Sequence, residues 1–165
     1  MSMLPKMIIS AEHKKMLDEA VHSELYASNL YKHIANQLQR IGYFGTTKFF
    51  LKESADELAH YQLHVEFQND VGTVAKVPMI EAMNDTIETL SDAIETGYET
   101  ELELYNNYKD WYNQASDDPV VQQFLLQFLE IQRTSVGEYG DLLARIQLVD
   151  QDKAGMLLID QELGG

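Results

Sequence analysis

The stretch Lys48-Phe-Phe-Leu-Lys-Glu-Ser-Ala-Asp-Glu57-Leu-Ala-His60 contains no proline or glycine, and its apolar residues recur at helical spacing. With Tyr61, Val65 and Phe67 further on, Phe49, Phe50 and Leu58 supply the apolar stripe of a helix over about residues 46–72. Glu57 and His60 are three positions apart, on the face that also carries Phe50, His64 and Phe67. The helix therefore turns a carboxylate and an imidazole towards its apolar side. An unpaired carboxylate in a core costs several kcal/mol, so its presence there needs a cause.

The pattern outward from this segment is also helical. The prolines are Pro5, Pro78 and Pro119, and turn-like clusters fall at 40–45, 69–78, 114–119 and 150–155. They delimit a first helix over about 10–40 (Leu17, Ala20, Val21, Ala27, Tyr31, Ile34, Ala35 and Leu38 inward). A third helix covers about 83–112 (Ile87, Leu90, Ile94, Tyr98, Tyr105, Tyr108, Tyr112), and a fourth about 119–148 (Val121, Phe124, Leu125, Phe128, Tyr139, Leu142, Ile146). Thr86 or Asp85 is the expected cap of the third helix, and Asp117 or Asp118 that of the fourth, with Pro119 in its first turn. Gly137 and Gly140 are expected to weaken and bend the fourth. Short loops make helices one and two antiparallel neighbours, and likewise three and four. The longer link at about 70–82, carrying Val71, Val74, Val77, Met79 and Ile80, crosses the bundle lengthwise. The stretch 154–163 reads as a short fifth helix, apolar enough to be exposed on a lone subunit. The expectation is an all-α four-helix bundle with one long crossover, residues 1–165 forming a single domain.

Composition narrows the function. Among 165 residues there are 27 acidic and 12 basic ones, giving a formal net charge of −15, and no cysteine. Disorder, disulfides and thiolate metal sites are excluded, and no apolar run approaches a membrane span. The start, MSMLPKMIISAEHKK, has too short an apolar stretch for a leader, which makes the cytoplasm the expected location. A field of this sign repels nucleic acid and anionic lipid and concentrates cations.

The other helices repeat the anomaly. Glu24 lies three residues after Val21 and seven before Tyr31, Glu101 seven after Ile94, and Gln132 four after Phe128. Taken singly, each has an ordinary explanation. A lone Glu-x-x-His arises by chance, Glu24 suits a subunit contact, Gln132 suits a satisfied core amide, His64 reads as buried and hydrogen-bonded, and the tyrosines of helix three read as core. Taken together, four helices each direct an oxygen or imidazole inward near mid-length. Carboxylates plus one imidazole suit iron, manganese or zinc, and Glu-x-x-His with a Glu from another helix can hold two metals.

On these residues the chain resembles the ferritin family. Glu24-Leu-Tyr-Ala-Ser-Asn-Leu-Tyr31 resembles its helix-one signature, Lys48–His60 its helix-two signature, Leu129-Glu-Ile-Gln132 its helix-four segment, and Gly155–Leu163 the short last helix of bacterial non-haem ferritins. The resemblance implies a hollow homo-oligomeric 24-mer. Its subunits oxidise Fe(II) with O2 or H2O2 at a di-iron centre and pass Fe(III) to a mineral core. Glu24 and His60 would bind the first iron, Glu57 would bridge and Glu101 would bind the second. Gln132 would position oxygen, water or the second iron, and Tyr31 would be a hydrogen-bond partner and electron donor.

The chain also departs from the family. Counting back from Pro119 favours Glu99 as the helix-three ligand, whereas helical phase favours Glu101. Ile131, Thr134 and Ser135 stand where some bacterial ferritins carry a third iron site, leaving Asp56 or Glu130. Gln123 and Leu126 or Gln127 stand where acidic residues usually line the three-fold pores. Leu58 replaces the haem-binding Met of bacterioferritins, so no haem is expected. The alternatives are a rubrerythrin-like di-iron oxidase or peroxidase without mineral storage, which usually carries two Glu-x-x-His motifs; a twelve-subunit DNA-protecting mini-ferritin, which lacks the fifth helix; and a purely structural acidic bundle.

Overall fold

The computed structural model describes residues 4–165. Residues 1–3, the first part of the stretch read as too short for a leader, lie outside the described residues. Five helices follow in order: α1 (Ala11–Ile41), α2 (Phe44–Asp70), α3 (Leu90–Gln114), α4 (Pro119–Val149) and α5 (Lys153–Leu163). No strand occurs among the described residues.

Local chemistry sets the helix limits. Ser10 caps α1 by accepting from His13 N, and α1 ends at Gly42, whose φ of 97° only glycine adopts without strain. Asp118 accepts from Val120 N and Val121 N to cap α4, with Pro119 in the first turn. The third helix starts later than the sequence suggests. Thr89 and Asp92 form a reciprocal capping box, so neither Asp85 nor Thr86 is the cap. Those two belong to the crossover, which runs from 71 to 89 rather than 70 to 82. Side chains of α1 hold it extended: Asp18 accepts from Lys76 N, Gln37 accepts from Ile87 N, and Gln37 Nε2 donates to the Asp85 carbonyl. The strap thus follows α1 along its length, which lets α2 and α3 run in the same sense.

Helices α1 and α2 pack along their lengths, as do α3 and α4. At the centre of the first pair two serines exchange hydrogen bonds: Ser28 Oγ donates to the Ser54 carbonyl and Ser54 Oγ to the Ser28 carbonyl, each at 2.8 Å. Small side chains at this point let the backbones approach closely. Between α3 and α4, Gly97 does the same for Tyr139, because a Cβ at 97 would lie 2.3 Å from Tyr139 Cε1. Helix α4 is continuous through Gly137 and Gly140.

The fifth helix docks on the start of α2. Tyr43, at the N-cap of α2, provides no side-chain cap. Asp160 of α5 supplies one across space, accepting from Gly45 N, Thr46 N and Thr46 Oγ1. Met156 and Ile159 are buried, while Leu157 and Leu158 are exposed, as expected of a subunit on its own.

Candidate metal centre

The inward polar residues of α1 and α2 meet at mid-bundle. One oxygen each from Glu24 and Glu57 and one ring nitrogen of His60 all lie within 4.8 Å of one another. Glu24 is fully buried, Glu57 almost so, and only His60 retains some exposure. His60 Nδ1 lies 3.4 Å from Glu57 Oε2 and 3.6 Å from Glu24 Oε2. The Oε2 atom of Glu24 is buried with no hydrogen-bond partner. A carboxyl oxygen left bare in that state is a good ligand and a poor core atom.

Glu101 and Gln132 stand beside this trio but outside it. Glu101 is buried and its carboxylate is held at both oxygens, by the Tyr31 hydroxyl at 2.6 Å and by Gln132 Nε2 at 2.6 Å. Gln132 Oε1 is buried and unpartnered, leaving a further oxygen donor free. Glu99, favoured by counting, is exposed in a groove lined by His22 and Glu103. The structure thus brings Glu24, Glu57 and His60 into one cluster and sets Glu101, Tyr31 and Gln132 in an adjoining hydrogen-bonded group.

The electrostatics follow from crowding acid into a core. Burial, then the neighbouring Glu24, pushes the Glu57 carboxyl well above its usual range. Burial and the Glu57 charge raise Glu101 to about 7, against the lowering effect of its bonds from Tyr31 and Gln132. Burial alone would lower His60, but Glu24 and Glu57 outweigh it and raise the imidazole to about 10. His64 has no such partner; burial and the nearby His60 depress it to about 3, so it is neutral. A cation would relieve the carboxylate repulsion and displace these protons, and a set of carboxylates with one imidazole and an amide oxygen suits a hard or borderline divalent ion.

Two residues near the cluster escaped the sequence reading. Tyr108, which reads as core in the sequence, donates its hydroxyl to Glu24 Oε1 and is fully buried. Its sequence signal was its place seven residues after Glu101 on one helical face. Glu53, one turn before Glu57, is raised to about 7 by burial and the carboxylates around it. It lies with Asp56, Glu57, His60, Glu130 and Glu138 along a groove of about 600 Å³ between α2 and α4. In that groove Asp56 is already paired with Lys52 at 2.8 Å.

A helical bundle with a lengthwise crossover and a buried carboxylate–imidazole cluster is a metal-handling architecture. A family profile described as a ferritin-like domain matches residues 14–149. The chain belongs to the ferritin family. It is 27% identical over 159 residues to a probable bacterial non-heme ferritin-like protein of Haemophilus influenzae, covering 95% of this chain and 96% of that protein. It is 29% identical over 153 residues to a ferritin of Pacifastacus leniusculus, covering 89% of this chain and 84% of that protein. Among solved structures, an open pore ferritin from Archaeoglobus fulgidus superposes with a TM-score of 0.92 at 23% identity, covering 94% of this chain and 97% of that one. Among the described residues, no helix is long and apolar enough to cross a membrane.

Proposed function

We propose that this protein is an iron-storage ferritin whose subunit oxidises Fe(II) at an internal two-iron site and whose 24-subunit shell retains the Fe(III) as mineral. One observation carries the reading: three ligand atoms from Glu24, Glu57 and His60 converge in the core, and Glu24 Oε2 is left without a hydrogen-bond partner. Family membership and relatives described as bacterial non-heme ferritins support it.

Iron is the substrate in this scheme. Glu24 and His60 would receive the first Fe(II), Glu57 would bridge, and Glu101 would receive the second through Oε2 on release from Gln132, its Oε1 staying on the Tyr31 hydroxyl. Gln132 keeps an oxygen turned to the site, and Tyr31 holds the Glu101 carboxylate or yields an electron. Each Fe(II) gives one electron to O2 or peroxide, and the protein fixes the geometry and leaves the oxidant a position. The same reading takes residues 1–165 as one ferritin-like domain, without haem, in the cytoplasm.

The test is to size the native particle and add Fe(II) in air. A mass of several hundred kDa, rapid oxidation and many irons kept soluble per subunit are expected. Glu57→Ala and His60→Ala should each abolish the rapid phase. Either variant oxidising as fast as the wild type overturns the site, and turnover without retained iron overturns storage.

A further inference from the structure

The two oxygens of Glu24 have different surroundings. Oε1 accepts the hydroxyl of Tyr108, while Oε2 faces His60 Nδ1 at 3.6 Å and has no hydrogen-bond partner. The Tyr108 hydroxyl has a single proton, and it points at Glu24. The Tyr108 oxygen is then an acceptor for His64 Nε2, which lies 2.8 Å away. That order fixes His64 as the tautomer protonated at Nε2. Its Nδ1 is bare, and it is buried with no partner.

Packing holds this chain in place. The His64 ring stacks on Phe128 at 4.6 Å and meets the edge of Phe124 at 5.0 Å. The Tyr108 ring stacks on the same Phe128 at 5.1 Å and meets Trp111 edge-on at 5.0 Å. Rotating either ring away would strand buried polar groups and open the aromatic cluster.

We infer that Tyr108 and His64 are positioning residues that reserve Oε1 of Glu24 as a hydrogen-bond acceptor and so dedicate Oε2 to the metal, making Glu24 a one-oxygen ligand. The inference rests on the proposal that Glu24 binds metal. It assigns Tyr108 a task separate from that of Tyr31, which bonds Glu101. Two carboxylates of the centre are thus each oriented by a tyrosine, and the Glu24 tyrosine is in turn oriented by a histidine. Swinging Oε1 onto a metal would break the Tyr108 bond and leave the Tyr108 hydroxyl proton without an acceptor in the core, because the other contact of that oxygen is the Nε2–H of His64, itself a donor.

Co(II) tests this on the whole assembled protein, without turnover, through its visible ligand-field bands and its binding isotherm. Tyr108→Phe keeps the ring and removes only the hydroxyl. It should shift the bands and weaken the tighter Co(II) site about tenfold, the scale on which partners of ligands act. A hydroxyl that matters only for folding would lower Tm and leave the bands alone. Because the residues act in series, His64→Leu combined with Tyr108→Phe should bind Co(II) no worse than Tyr108→Phe alone. Unchanged bands and affinity in Tyr108→Phe overturn the inference and leave the proposed function standing, and additive losses in the double variant overturn the series. Wild-type protein that develops no Co(II) bands overturns the proposed metal site and this inference with it.

Discussion

Glu101 is buried against Tyr31 and Gln132, and Glu99, two residues earlier, faces solvent beside His22 and Glu103. Helical phase separates the two by about 200°, so only one can serve the core. Glu101→Gln should therefore weaken binding of the second metal by at least tenfold in a titration, whereas Glu99→Gln should leave the isotherm unchanged. Protonation offers a second prediction at this scale. Glu101 and Glu53 are each raised from 4.5 to about 7, so their contribution to stability is full below about 4.5 and is lost as the pH rises through about 7. His60, raised from 6.5 to about 10, contributes fully below 6.5, loses its contribution progressively above that, and has lost it once the pH has risen through about 10. From pH 5 to about 7 the two carboxyls outweigh the opposite effect of His64, whose lowered value favours the fold as the pH rises, and above 7 His60 continues the fall. The Tm of the metal-free protein should fall between about pH 5 and 8, and metal binding near pH 7 should release protons, read by calorimetry in buffers of different ionisation enthalpy. Glu24, Glu57, His60, Glu101 and Gln132 were visible in the sequence because each interrupts an apolar stripe. Tyr108 was not, because a tyrosine does not interrupt one.

The helices differ in how openly they declare their buried faces. All eight residues assigned to the α1 stripe are buried. In α2 the face is mostly polar: Thr46, Thr47, Ser54, Glu57, His64 and Gln68 are buried with Phe50, while Leu51, Leu58 and Leu63 are exposed. An apolar count therefore misplaces Leu58, and Phe49, Tyr61, Val65 and Phe67 are only half-buried. What occupies the face is instead chosen by neighbours: serines where α1 comes close, acid and imidazole at the centre. In α3 the buried line runs through Gly97 and Trp111, with Tyr98, Tyr105 and Tyr112 half-buried at its side. Gly97 has no hydrophobic signal because its function is to be empty, leaving room for the Tyr139 ring. The link from α5 to α2 was equally hidden, since Asp160 caps a helix more than a hundred residues away. Asp160→Ala should cost about 1–2 kcal/mol in urea unfolding, the cost of losing a cap, with the loss concentrated in hydrogen exchange at the start of α2. Gly45→Ala should cost more, as its Cβ would lie 1.9 Å from the Asp160 carbonyl oxygen.

For the whole molecule, topology was the most legible feature and connection length the least. Two short loops and one long link read directly as a bundle with a crossover, but the link extends to residue 89 because α1 side chains hold its backbone. Net charge acts at the same scale. At −15 the molecule draws cations towards itself, and a subunit array would strengthen that field. The initial rate of Fe(II) uptake should therefore fall as inert salt rises from 10 to 200 mM, conditions over which the screening length shrinks from about 30 Å to under 10 Å. Retained mineral capacity should not change with it.

The reciprocal bonds between Ser28 and Ser54 have a consequence for alignment. Ser28 is one turn beyond Glu24, and Ser54 is three residues before Glu57. If α1 slid along α2 by one turn, about 5.4 Å, its greasy side would still meet the core, and apolar contact alone would hardly resist the error. Glu24, however, would part from Glu57 and His60, and two hydroxyls would lose their carbonyl acceptors in a dry interior. The serines thus work as a vernier: a mark with no chemistry of its own that tells the two rods when their graduations agree.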